Sequence, residues 1–108
     1  MIYLASPYSH PDPAVREARF HAVCREAARL TKEGYTVFSP IAHSHCICQH
    51  GLPLEWIFWW RIDAEFIKRS DEVWVLMLDG WKESTGVQAE IRLALEFEKR
   101  LRFVEPSQ

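Results

Sequence analysis

The chain has 108 residues, 48% apolar and 26% charged, with 13 Lys and Arg against 15 Asp and Glu for a net charge of −2. That length reads as one domain over residues 1–108, able to bury a core without disulfides or structural metal. The near-neutral balance lacks the field that gathers nucleic-acid polymers or anionic lipid. No apolar run, Trp56 to Trp60 included, approaches the roughly 20 residues of a membrane span. Met1–Ala5 carries no basic segment of a secretory signal. Cys24, Cys46 and Cys48, an odd number, read as reduced thiols. A cytoplasmic protein is expected, with neither a membrane nor a nucleic-acid polymer as partner.

Ile2–Ala5 predicts a short apolar strand stopped by Ser6-Pro7-Tyr8. Asp12 before Pro13 is an N-cap followed by proline at the first helical position, opening a helix to about Glu33 that Gly34 closes. Phe20, Val23, Ala27 and Leu30 form its core-facing stripe, with Cys24 a small buried apolar residue beside it. Tyr35–Phe38 is a second strand, and Ser39-Pro40 begins a loop running to about Pro53. A second helix follows over Leu54–Ser70. The near-continuous apolar run Glu72–Leu78 then suits a strand buried on both faces, ended by Asp79-Gly80-Trp81. Thr85 with Gln88 fits a capping box for a third helix whose inner face is Val87, Ile91, Ala94 and Leu95. Leu101–Val104 is the last strand.

This alternation predicts an α/β fold, a small three-layer Rossmann-like parallel sheet of four to five strands with helices on both faces. Ligands of such sheets bind beyond the carboxyl ends of the strands, where strand order reverses. Ser6, Pro7 and Tyr8, then Ser39 to His45, then Asp79 to Gly86 are therefore expected around one cleft.

Asp63 lies between Trp59 and Trp60 on one side and Phe66 and Ile67 on the other. A carboxylate on the apolar side of a helix loses hydration and must find a partner or take up a proton; a salt bridge to Arg61 or Lys68 is the simpler alternative. Glu90 falls one turn into the third helix, where the positive helix end would hold it ionised as a nucleophile or base, although first-turn acids also serve stability alone. Gly86 admits close approach of backbone to a ligand, and Ser84 and Thr85 add hydroxyls at the same helix end, a cradle for phosphate.

His43, His45, Cys46, Cys48 and His50 crowd into eight residues, but their spacing lacks the two separated pairs of a structural zinc site. No metal and no cofactor is expected; His43 or His45 serves better as a hydrogen-bond donor lining the cleft. Five successive apolar residues at 56–60 encircle a helix, so one core cannot cover them all. A homo-oligomer packed through Trp59 or Phe58 is expected, the competing account being an aromatic core with one tryptophan lining the pocket.

Three blocks in order resemble the nucleoside 2-deoxyribosyltransferase superfamily: Ile2-Tyr3-Leu4-Ala5-Ser6-Pro7-Tyr8, Asp63 eight residues before Asp71 at the start of the third strand, and Ser84-Thr85-Gly86-Val87-Gln88-Ala89-Glu90, similar to its Ser/Asp-x-Gly-x-x-x-Glu stretch. The resemblance implies a small flavodoxin-like sheet, Glu90 as nucleophile, Asp63 as the acid that handles the leaving base, and Tyr3 or Tyr8 near the sugar. Ser84 is closer to the branch that hydrolyses 2′-deoxynucleoside 5′-phosphates, whereas Ser6-Pro7-Tyr8-Ser9-His10 lacks that branch's glycine- and arginine-rich loop. The first loop and Gly80-Trp81-Lys82-Glu83-Ser84 look more like a small bacterial and phage family of the same superfamily.

The leading expectation is retaining cleavage or transfer at the N-glycosidic bond of a nucleoside or nucleoside 5′-monophosphate, with Glu90 and Asp63 as the carboxyl pair and Trp59 or Trp81 stacking on the base. A nucleotide-binding sensor without chemistry is the first rival, and a metal-dependent hydrolase on the histidine and cysteine loop the second.

Overall fold

Successive side chains of a strand point to opposite faces of its sheet, and the first strand shows both faces at work. A computed structural model describes residues 1–107, with the elements β1 (Ile2–Ala5), α1 (Pro13–Lys32), β2 (Val37–Phe38), α2 (Pro40–Cys48), α3 (Trp56–Arg69), β3 (Glu72–Leu76), α4 (Thr85–Glu96) and β4 (Arg100–Val104). Ile2 and Leu4 face one layer with Trp74 and Leu76, covered by Val23 and Leu30 of α1 and Ile41 of α2. Tyr3 and Ala5 face the other with Val73 and Val75, covered by Ile67 of α3 and by Val87 and Ala94 of α4. Each fully buried aliphatic side chain stabilises the fold by roughly 1.5–3 kcal/mol relative to leaving it in water.

The four strands are all parallel in the order β2-β1-β3-β4. Tyr3 lies opposite Phe38 on one side and Val73 on the other. Strand order reverses between β1 and β3, so the chain leaves these two neighbours in opposite directions and opens a crevice above their carboxyl ends. The expected α/β architecture, a parallel sheet with helices on both faces, is the one observed, with four strands.

Asp12 caps α1 as expected, its side chain accepting from Ala14 N at 2.9 Å, and Gly34 follows the helix end at φ +100°, a conformation open to glycine without strain. Residues 40–48 are a helix, not the expected loop. Ser39 Oγ accepts from Ala42 N at 3.1 Å with Pro40 at the first helical position, repeating the Asp12-Pro13 device. The expected cap of α4 is also corrected. Ser84, not Thr85, occupies it and accepts from Val87 N at 3.2 Å, while the Gln88 side chain donates to Lys82 O at 3.1 Å. β3 stops two residues early, because its partner β4 ends opposite Leu76 and Leu78 N folds back onto Leu76 O. Cys24 is half-buried, Cys46 exposed and Cys48 buried. Among the described residues no helix is long and apolar enough to cross a membrane.

Candidate functional site

A cavity of about 230 Å³ opens beyond the carboxyl ends of β1 and β3. Small-molecule pockets run about 300–1,000 Å³, so this one lies just below that range and suits a small ligand. Its walls come from every loop at that end of the sheet: Ser6, Tyr8 and Ser9 after β1, Pro40 and Ile41 opening α2, and Ser84 to Gly86 at the start of α4. The remaining wall belongs to α3, whose Trp56, Trp59, Trp60 and Asp63 face inward.

Glu90 stands in this cavity with Asp63, although 27 positions separate them in the chain. Tyr3 projects from β1 onto the α4 side of the sheet, fully buried, and its hydroxyl donates to Glu90 Oε2. Burial raises the Glu90 carboxyl to about 8, with the Asp63 charge adding to the rise and the Tyr3 hydrogen bond opposing it. Burial likewise raises Asp63 to about 7. Tyr3 is held well above its ordinary range by burial and by both carboxyl groups, so it remains a phenol and a donor. The expectation that the helix end keeps Glu90 ionised is overturned by the burial that raises it: four residues lie between it and the Thr85 helix start, beyond reach of the free N–H groups of the first turn. Asp63 makes no salt bridge to Arg61 or Lys68 among the described residues; it is half-buried beside the tryptophans.

Ser6 Oγ is buried and has no hydrogen-bond partner among the described residues, while Ser6 lines the cavity. A buried hydroxyl left unpaired by the protein is a place for a ligand atom to hydrogen-bond. At Gly86 an added Cβ would lie 3.9 Å from Ser84 Oγ and from Trp56 Cβ, ordinary contacts within the cavity wall. Trp59 is 8% exposed and donates its indole N–H to Pro53 O at 2.8 Å, which fixes the ring against the pocket.

Other expected cleft residues lie elsewhere. Pro7 is fully buried and outside the lining. His43 is exposed and outside the lining, its ring against Phe38 and Phe66 at 5.7 and 6.2 Å between centroids. His45 sits behind Tyr8: Nδ1 is 2.7 Å from the Tyr8 hydroxyl and Nε2 is 3.0 Å from Glu17 Oε2. Asp79 does not line the cavity, and its carbonyl accepts from Arg19 Nη2 at 3.3 Å. Trp81 packs on Phe103 at 5.4 Å and also stands outside. Among the described residues no three His, Cys, Asp or Glu side chains gather as a metal-ligand set.

The sequence reading missed Trp56, Trp60 and Cys48 as cavity residues and Glu17 as the partner of His45. Trp56 and Trp60, one helical turn apart, meet edge to face at 5.7 Å between ring centroids; that spacing was the available signal. Nothing local marks Glu17, which meets His45 across 28 positions.

Taken together, the site offers two carboxyl groups with raised pKa, a phenol bonded to one of them, an aromatic wall and an unpaired serine hydroxyl. No curated protein matches the chain. A family model matches residues 1–105, and the chain belongs to that family, described as a domain of unknown function (DUF1937).

Proposed function

We propose that the protein cleaves the N-glycosidic bond of a nucleoside or nucleoside 5′-monophosphate, 2′-deoxy by preference, with retention at C1′. The single observation that carries this reading is the pair Glu90 and Asp63 in one cavity, with Tyr3 donating to Glu90. Two carboxyl groups on one glycosidic carbon, one ionised and one protonated, are the minimal equipment for displacement through an oxocarbenium-like transition state. The aromatic wall of α3 supports a flat base as the leaving group, and the resemblance of the sequence to the nucleoside 2-deoxyribosyltransferase superfamily agrees with it.

In this reading the Glu90 carboxylate attacks C1′ as the C–N bond breaks. The bonding pair leaves with the base, which takes the proton of Asp63, and a glycosyl ester of Glu90 remains. Water then attacks C1′, giving its proton to Asp63 and releasing Glu90; a second base in place of water makes the reaction a transfer. Before substrate enters, burial keeps Glu90 mostly protonated and leaves Asp63 near the middle of its titration at neutral pH. A base seated over Asp63 strips its remaining hydration and favours its neutral acid, whereas Tyr3 donates to Glu90 and favours the charge there. The unpaired Ser6 hydroxyl and the Ser84–Gly86 turn at the start of α4 supply donors for the 5′-oxygen or its phosphate.

Incubation with a mixture of nucleosides and their monophosphates, followed by chromatography for free bases, tests both chemistry and substrate class. Base release is expected, and Glu90→Ala is expected to abolish it. Glu90→Ala with wild-type turnover rejects the assignment. Asp63→Asn is expected to slow poor leaving bases most; equal slowing across a base series assigns Asp63 a structural role.

A binding module without chemistry is favoured by one observation, the burial that holds Glu90 protonated at neutral pH. Ligand binding with no base release up to pH 9 selects it. A homo-oligomer is part of the same proposal: Ile57 is 67% and Phe58 37% exposed on α3, an apolar face for a second copy, whereas Trp59 is turned into the cavity.

A further inference from the structure

Tyr8 reaches the cavity from the loop after β1, and behind it stands a chain of groups whose protons have one arrangement when the His45 imidazole is neutral. The Glu17 carboxylate can only accept. Its Oε2 lies 3.0 Å from His45 Nε2, and its Oε1 lies 3.1 Å from His21 Nε2. His45 is 8% exposed and its ring stacks on Phe20, 4.0 Å between centroids and 19° between planes, so it cannot turn away. A neutral imidazole carries one N–H and one lone pair. The N–H goes to Glu17, so the lone pair at Nδ1 takes the Tyr8 O–H at 2.7 Å.

The only proton of the phenol is thereby committed away from the cavity. Arg16 gives its guanidinium N–H groups to the carbonyls of His10 at 2.5 Å and Pro11 at 3.4 Å, and it also lies close enough to Tyr8 to oppose the rise that burial imposes on the phenol. What Tyr8 offers a ligand is a lone pair. The charges of Arg16 and Glu17 oppose one another at Tyr8, and a lone pair takes a hydroxyl donor. Tyr8 shares its loop with the cavity hydroxyls of Ser6 and Ser9, whereas the indoles that would stack on a base come from α3.

We propose that Tyr8 is a specificity-determining residue, an acceptor fixed by His45 and Glu17 that reads one hydroxyl of the ligand's pentose. Assigning the donor to a pentose rests on the nucleoside reading above. A site built to accept a hydroxyl proton penalises any ligand that lacks it, because its own lone pair then goes unpaired. His45 and Glu17 are positioning residues for Tyr8.

The test is calorimetric binding at pH 8 of a ribonucleoside, a 2′-deoxynucleoside and a 2′,3′-dideoxynucleoside of one base, alongside base release. Wild type is expected to bind the member carrying the read hydroxyl about tenfold tighter than the member lacking it. Tyr8→Phe is expected to bring that ratio to within about twofold. Replacing the read hydroxyl with fluorine, which accepts but does not donate, is expected to cost wild type about the same tenfold and needs no variant to fold. His45→Phe keeps the stack on Phe20 and frees the phenol to donate, so it is expected to narrow the gap between hydroxyl and fluorine. A fluorinated ligand bound as tightly as its parent, or a hydroxyl preference unchanged in folded Tyr8→Phe, overturns the proposal and leaves base release as evidence for the glycosidase. Wild type that neither binds nor cleaves any member overturns the nucleoside reading, and the pentose assignment with it.

Discussion

The phenol of Tyr3 and the carboxyl of Glu90, 87 positions apart, share a buried hydrogen bond at the base of the cavity. Tyr3 sits on β1, between β2 and β3 in the sheet, and its hydroxyl favours the anion of a carboxyl which burial otherwise keeps protonated. Hydrogen bonds to charged groups are worth about 1.5–3 kcal/mol. Tyr3→Phe is therefore expected to lower kcat for base release by about 10- to 100-fold and to move the ascending limb of the pH–rate profile upward. Steady-state rates from pH 5 to 9 check it; an unmoved limb would mean Tyr3 only fills space.

The same burial makes stability depend on pH. Folded Asp63 and Glu90 titrate at about 7 and about 8 against ordinary values of 3.8 and 4.5. Over that interval the folded state keeps protons the unfolded chain has released, so its contribution is full below about pH 4 and is lost as pH rises to 8. Tm is expected to fall on going from pH 5 to pH 8. Glu90→Gln, neutral throughout, is expected to flatten the slope and to melt higher than wild type at pH 8, by several degrees on the order of ~5 °C. Thermal melts of the two proteins at both pH values decide it.

Gly86 separates folding from binding. An added methyl meets nothing closer than 3.9 Å in the protein itself, and alanine in place of glycine in a helix stabilises by about 0.4–1 kcal/mol where the backbone permits. Gly86→Ala is expected to melt at or slightly above wild type while losing about tenfold or more in kcat/KM, because the methyl enters the volume a ligand would occupy. Equal kcat/KM would place the ligand away from the start of α4.

The outer face of α3 carries Ile57 and Phe58, flanked by Leu54, which is 40% exposed. Light scattering at micromolar concentration is expected to show a multiple of 12.7 kDa, and Ile57→Lys to shift the distribution toward that single mass. A lone 12.7 kDa species for wild type ends the homo-oligomer proposal.

Periodicity made most of the architecture legible. Buried strands announce themselves by apolar runs, and Asp12-Pro13 and Gly34 mark helix ends because capping is local chemistry between neighbours in the chain. Residues 40–48 were lost to that reading: Ser39-Pro40 has the form of both a turn and a cap, and a nine-residue helix rich in histidine and cysteine has little amphipathic pattern to betray it. The error carried over to the site, since the helix turns His43 toward Phe38 and His45 behind Tyr8, where a loop was expected to present both to the cleft.

Asp63 and Glu90 could be named from sequence as acids in unusual surroundings, because hydrophobic neighbours and a Ser-x-Gly turn are written in consecutive residues. Their shared cavity, the Tyr3 bond and the Glu17–His45–Tyr8 chain could not. Those depend on which face of β1 each side chain takes and on where helices from distant parts of the chain come to rest on it. Local sequence determines backbone preference within a few residues, whereas the protonation and orientation of a buried group are set by whatever the folded chain brings against it through space.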